Sequence, residues 1–187
     1  MKKLNPRKLY IIGSVLAMLL VIVGMLLRFP PGPRPVCHRA IDGALQQWML
    51  ESGHTNSYPN ADGHGSASLA MIQRYFGDGI QQYGYVPGLR DGDPAGLVFM
   101  YLKRKTRYSW HGDTQHGAFS PRRWMVLSPS FSPGSPGNTC PEGGELLDTS
   151  EFKKRIQITI AFLKEQQRPY WQDVADEQSE FLKSIKE

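Results

Sequence analysis

The chain has 187 residues, 40% of them hydrophobic and 21% charged, which leaves room for about one ordinary domain and excludes a multidomain machine. The formal charge of +5 is unevenly placed: residues 1–33 hold five basic and no acidic side chains, leaving 17 basic against 17 acidic beyond them. The rest of the chain is formally neutral, so the pI near 9.2 reports the N-terminal segment and gives no basic domain for nucleic acid to bind.

Leu9 to Leu27 is a run of nineteen residues without a charge. As a helix rising about 1.5 Å per residue it covers the hydrocarbon thickness of a bilayer, so a single membrane span is expected over 9–27. A cleavable signal peptide is the competing reading, but its apolar region is about 7–15 residues and ends in a small-x-small site. Here the run is followed by Arg28-Phe-Pro-Pro-Gly-Pro-Arg-Pro35, which offers no such site. Lys2, Lys3, Arg7 and Lys8 precede the run, and only Arg28 and Arg34 lie close behind it. The positive-inside bias then predicts a cytoplasmic N-terminus at 1–8, a Pro-rich spacer over 28–36 and an exported domain over 37–187, in a bacterial inner membrane. The lipid bilayer is thus an expected partner. Cys37 and Cys140 are the two cysteines. In an oxidising compartment they are expected to form a disulfide, with two reduced thiols as the alternative.

Within the exported part the fold class expected is α+β, with an antiparallel meander packed on amphipathic helices. Ala40, Ile41, Ala44, Leu45, Trp48 and Met49 recur at helical spacing, which predicts a helix from His38 to about Glu51 closed by Gly53. The stretch 52–65 is turn chemistry throughout, and a short helix is expected over 66–75. Strand-like runs follow at 82–86, 96–102, 106–110 and 123–127, rich in aromatic and β-branched residues. The short polar link Lys103-Arg-Lys105 predicts a hairpin between the second and third, extended to a meander by the fourth. Ser128 to Gly144 reads as an irregular loop. Asp148-Thr-Ser-Glu151 is a capping-box pattern ahead of Phe152, Ile156, Ile160 and Leu163 on one helical face, although Ile156, Ile158 and Ile160 also alternate as a strand would. Trp171, Val174, Phe181 and Ile185 mark a final helix beyond Pro169.

Candidate chemistry is sparse. Trp110-His-Gly-Asp-Thr-Gln-His116 places His111, Asp113 and His116 on one short segment, side-chain types that zinc accepts and that could serve a hydrolase as general base. The spacing is not diagnostic, and no cofactor is expected. His54, Asp62 and His64 could join such a site only if separate loops met. No Gly-x-Ser-x-Gly, His-Glu-x-x-His or phosphate-binding glycine loop occurs. Asp91 and Asp93 carry oxygen that calcium would accept, but the closing glutamate of an EF-hand is missing, which favours Asp side chains bonded to the turn backbone. The four tryptophans read as core, and exposed rings around Tyr83 to Tyr85 are a third possibility, for a glycan or peptide.

An N-terminal apolar helix, then Ala40-Ile-Asp-Gly-Ala-Leu-Gln-Gln-Trp48, Gly53 and Tyr58-Pro59-Asn60 ahead of a small sheet, resembles the pseudopilins and pilin-like proteins of type II secretion systems. The processing glycine with its following aromatic residue is absent, as is any acid before Asp42, so the resemblance does not imply a processed filament subunit. Tyr85-Val-Pro-Gly-Leu-Arg-Asp-Gly-Asp-Pro94, Leu97-Val-Phe-Met-Tyr101, Thr106-Arg-Tyr-Ser-Trp-His-Gly112 and Arg168-Pro-Tyr-Trp171 resemble a group of membrane-anchored proteins of planctomycete and verrucomicrobial bacteria, which implies architecture but no activity. Together these readings lead to a single-pass envelope protein whose ectodomain is an interaction or scaffold module with an envelope protein partner. The alternative is an envelope hydrolase or metal-dependent enzyme using His111, Asp113 and His116.

Overall fold

The structure is a computed structural model and describes residues 6–28, 38–54, 57–90, 92–106, 121–129 and 144–185. Among these residues the chain is α+β, as expected, with six α-helices, a short 3-10 turn and one four-stranded antiparallel sheet of order β1-β2-β3-β4. Helix α1 runs Pro6–Arg28, and every side chain described in it, Tyr10 to Met25, is exposed. Among the described residues no helix is long and apolar enough to cross a membrane. The described side chains of α1 also stop short of the expected 9–27 segment, since those of Leu9 and Leu27 lie outside them.

Helix α2, His38–Ser52, buries Ile41, Ala44, Leu45 and Trp48 of the face read from the sequence, with Met49 partly buried, while Ala40 is exposed. Gly53 follows with φ +74°, the left-handed conformation glycine adopts without a Cβ penalty. The single helix expected over 66–75 is instead two pieces, α3 (Gly65–Ala70) and α4 (Gln73–Phe76). Between them the N–H groups of Met71 and Ile72 donate three residues back, to Ser68 O and Leu69 O, at 3.2 and 3.1 Å. Leu69 and Ile72, three residues apart across that tightened turn, are both buried.

Strands β1 (Tyr83–Tyr85), β2 (Met100–Leu102) and β3 (Trp124–Leu127) fall inside three of the expected runs. The expected hairpin across Lys103–Lys105 does not form, because β2 has both edges occupied: Tyr83 pairs with Leu102, and Met100 pairs with Leu127. Thr106 makes one isolated bridge to Arg123, and 107–110 lie outside the described residues. The strand expected from Gly96 starts later because its backbone is drawn elsewhere. Leu97 N–H closes a turn on Pro94 O, and Val98 N–H donates to the buried Thr159 hydroxyl at 2.9 Å. Strand β4, Gly144–Leu147, sits where the sequence suggested the end of an irregular loop. It pairs with β3 along its length, and its Glu145 takes two hydrogen bonds from the Arg155 guanidinium, at 2.9 and 3.0 Å.

Alternate strand residues point to opposite sheet faces, and here both faces are covered by helices. Tyr101 and Trp124 meet Phe152 of α5 (Thr149–Glu165) and Phe181 of α6 (Trp171–Ser184), with Trp124 stacked on Phe152 at 4.6 Å. On the other face Tyr83 meets Phe76 of α4 edge-on. The exposed aromatic platform considered for Tyr83 to Tyr85 is therefore corrected: both rings are fully buried, since a strand between two helical layers has no solvent face. Trp48 and Trp124 are core residues, as read from the sequence, and Trp171 is half-buried under Lys164.

Helix α5 settles the strand alternative at 156–160: Phe152, Ile156, Thr159 and Leu163 are buried, and Ile158 is exposed. Asp148 caps it, its Oδ1 accepting from Glu151 N–H at 2.8 Å, while the Glu151 carboxylate turns to Arg155 at 3.1 Å. The hydrogen bond from Glu151 N–H, helped by Ser150, holds the Asp148 carboxyl below its usual range. A group with a depressed native pKa stabilises the fold above the unfolded carboxylate range, near pH 4, and that contribution is lost as pH falls through the native value. Asp148→Ala is accordingly expected to lower the thermal midpoint at neutral pH, with the gap to the parent narrowing as the pH falls below about 4. Thermal melts across that range, showing a gap that stays constant, would contradict the capping assignment.

At its other end α5 finishes in a Schellman motif. Arg168 N–H reaches back to Leu163 O at 2.9 Å and Gln167 N–H to Lys164 O at 3.0 Å. The residue that turns the corner is Gln167, at φ +48°, where glycine is the unstrained choice. Gln167→Gly is expected to stabilise the chain by about 1 kcal/mol, read as a raised denaturant midpoint.

Candidate interaction surface

Three loop segments converge at one corner of the fold. The first, 57–65, is anchored at its start by buried tyrosines: the Tyr58 hydroxyl donates to Pro129 O at 3.0 Å and the Tyr85 hydroxyl to Pro59 O at 2.8 Å. Burial pushes the Tyr85 phenol well above its ordinary value, so it stays a donor. Within the segment Ala61 and His64 bridge across Asp62-Gly63, both at positive φ (+49° and +82°), the backbone of a type I′ turn. Asp-Gly is the sequence signal for that turn. Asn60 Oδ1 accepts from Gly63 N–H at 2.9 Å and the Ser68 hydroxyl from Ala61 N–H at 2.9 Å, which fixes it further.

The second segment leaves β1 through Pro87 and Gly88 and turns at Arg90–Asp93. Asp93 does what the turn reading required: its Oδ2 accepts from Arg90 N–H at 2.7 Å. Its Oδ1 accepts from Arg168 Nη2 at 2.8 Å, in an ion pair whose side chains are only 10% and 11% exposed. Both carboxylate oxygens are engaged, which argues against calcium at this residue; Asp91 lies outside the described residues. The third segment is the α5–α6 corner that carries Arg168 and Tyr170.

Tyr170 precedes α6 at φ +61° with its side chain 49% exposed. The turn approaches it so closely that a Cβ on Gly63 would lie 2.8 Å from Tyr170 Cβ and 3.0 Å from Asp173 Cβ. Glycine is required there by space as well as by φ. The Tyr170 hydroxyl is hydrogen-bonded to Asp62, and that bond, with the Asp173 charge nearby, raises the phenol above its ordinary value. Gly65 N–H donates to Glu177 Oε2 at 2.8 Å, and His64 Nδ1 stands 4.0 Å from the same oxygen. Behind the corner the Tyr101 hydroxyl donates to Gln178 Oε1 at 2.8 Å and Gln178 Nε2 to Tyr85 O at 3.2 Å, so the sheet and α6 are tied by a closed polar chain.

The surface left at this corner is a half-exposed ring edged by Asp62, Asp173, His64 and Glu177. Non-glycine residues at positive φ cluster where a structure over-determines its backbone, and all three of those described, Asp62, Gln167 and Tyr170, lie at this corner. Chemically the arrangement presents acceptors and a ring at the surface.

His111, Asp113 and His116 lie outside the described residues, as do Cys37 and Cys140 with their expected bridge. Among the described residues no group of three or more His, Cys, Asp or Glu side chains is placed to hold a metal ion. His54 stacks on Trp48 at 5.4 Å, whereas Asp62 and His64 border α6; the 110–116 segment they were to join lies outside the described residues. Sequence reasoning passed over Tyr170 and Glu177; the signal available was Asp62-Gly63, a tight turn that must pack against something. No family model, curated protein or solved structure matches the chain, so the class is defined by the fold alone: an α+β domain behind an apolar helix.

Proposed function

We propose that the protein is a single-pass envelope protein, anchored by the segment around α1 with its N-terminus in the cytoplasm, whose exported domain is an interaction or scaffold module. The observation that carries this is α1 itself. It is 23 residues long, holds no acidic side chain, and exposes Tyr10 to Met25 all round, including Ile11, Ile12, Leu16, Leu20 and Met25. An apolar helix exposed on every side has no reason to remain so in water, and a bilayer supplies the missing environment. The basic side chains at 2, 3, 7 and 8 set its orientation. Among the described residues the core of the domain beyond, set between two helical layers, includes none from α1. In the order of its parts it is pilin-like. The corner of Asp62, His64, Tyr170 and Asp173 is where a partner would find fixed polar groups around a ring.

Alkaline carbonate washing of membranes from cells making the full chain tests the anchor. The full chain is expected in the pellet and a chain lacking residues 9–27 in the wash, with external protease digesting the domain only once the outer layers are opened. Full-length protein in the wash would overturn the anchor. Crosslinking in intact cells tests the second half of the reading, and recovery of no envelope protein above background would count against the module.

A further inference from the structure

We draw no further inference here: the strongest candidate, the open cleft beside α3 lined by Ser66, Leu69, Gln73, Ile80, Gln81 and Lys103, has its Gln73 and Lys103 engaged by Asp78 and Gln81 and, among the described residues, no unpartnered buried polar group aimed into it, so nothing in the structure shows what would bind there.

Discussion

Alanine at Gly84 is expected to destabilise the chain by about 3 kcal/mol, more than a surface-strand substitution would, through overlap with the Tyr101 ring. Gly84 pairs with Tyr101 across β1 and β2, and a Cβ built on it would overlap the hydroxyl end of that ring. The ring cannot swing away. It lies edge-on to Phe152 at 5.2 Å, against Phe181 at 5.0 Å, and its hydroxyl is held by Gln178. Glycine is a poor strand former for want of a side chain, so its presence in a fully buried strand reports the tyrosine that occupies its space. The coupling gives the test its control. Tyr101→Leu is itself costly, but in that background Gly84→Ala should cost under about 1 kcal/mol, because neighbouring sites do not add. Denaturant unfolding of the four chains, followed by tryptophan fluorescence, measures the cycle. An equal cost of Gly84→Ala in both backgrounds would mean that the overlap is relieved by backbone movement.

Removing the Arg168 side chain is expected to cost about 3–5 kcal/mol, the range for leaving one member of a buried ion pair without its partner. Arg168→Ala strips the carboxylate of Asp93 of its counter-ion where both side chains are about nine-tenths buried. The pair is not an ideal fork: Nε of Arg168 is buried without a partner among the described residues, a donor whose desolvation is uncompensated. For that reason Asp93→Leu combined with Arg168→Met should recover most of the loss, less the hydrogen bond that Asp93 accepts from Arg90 N–H. Unfolding midpoints of the single and double variants decide it. A cost below about 1 kcal/mol for Arg168→Ala would show that water reaches Asp93 and that the corner is looser than its geometry implies.

Both expectations concern contacts between segments far apart in sequence, and this is where reading the sequence stops. The helical faces of α2 and α5, the glycine that ends α2, the Asp148 cap, the Asp93 turn and three of the four strands follow from local rules: periodicity, capping and turn chemistry act over a few residues and are written in those residues. The break at Met71-Ile72 was not legible, since it serves a core that only the assembled fold creates. Nor was β4, whose four residues contain no β-branched side chain and take their strand form from β3 and from Arg155. The hairpin across 103–105 failed for a related reason, because loop length proposes a pairing while competition for the edges of β2 settles it.

Sequence by itself determined the class of the fold, the apolar segment with its flanking charge, and the neutrality of everything after it. The candidate surface was decided by tertiary structure alone. Asp62, Asp93 and Arg168-Pro-Tyr170 each read as ordinary turn residues, and they meet at one corner, with the Asp93–Arg168 pair buried behind Tyr170, only because the α5–α6 corner packs against the Asp62-Gly63 turn. Whether a side chain such as Tyr83 or Tyr170 is buried or presented depends on which helices cover the sheet, a long-range packing outcome that periodicity along the chain does not encode.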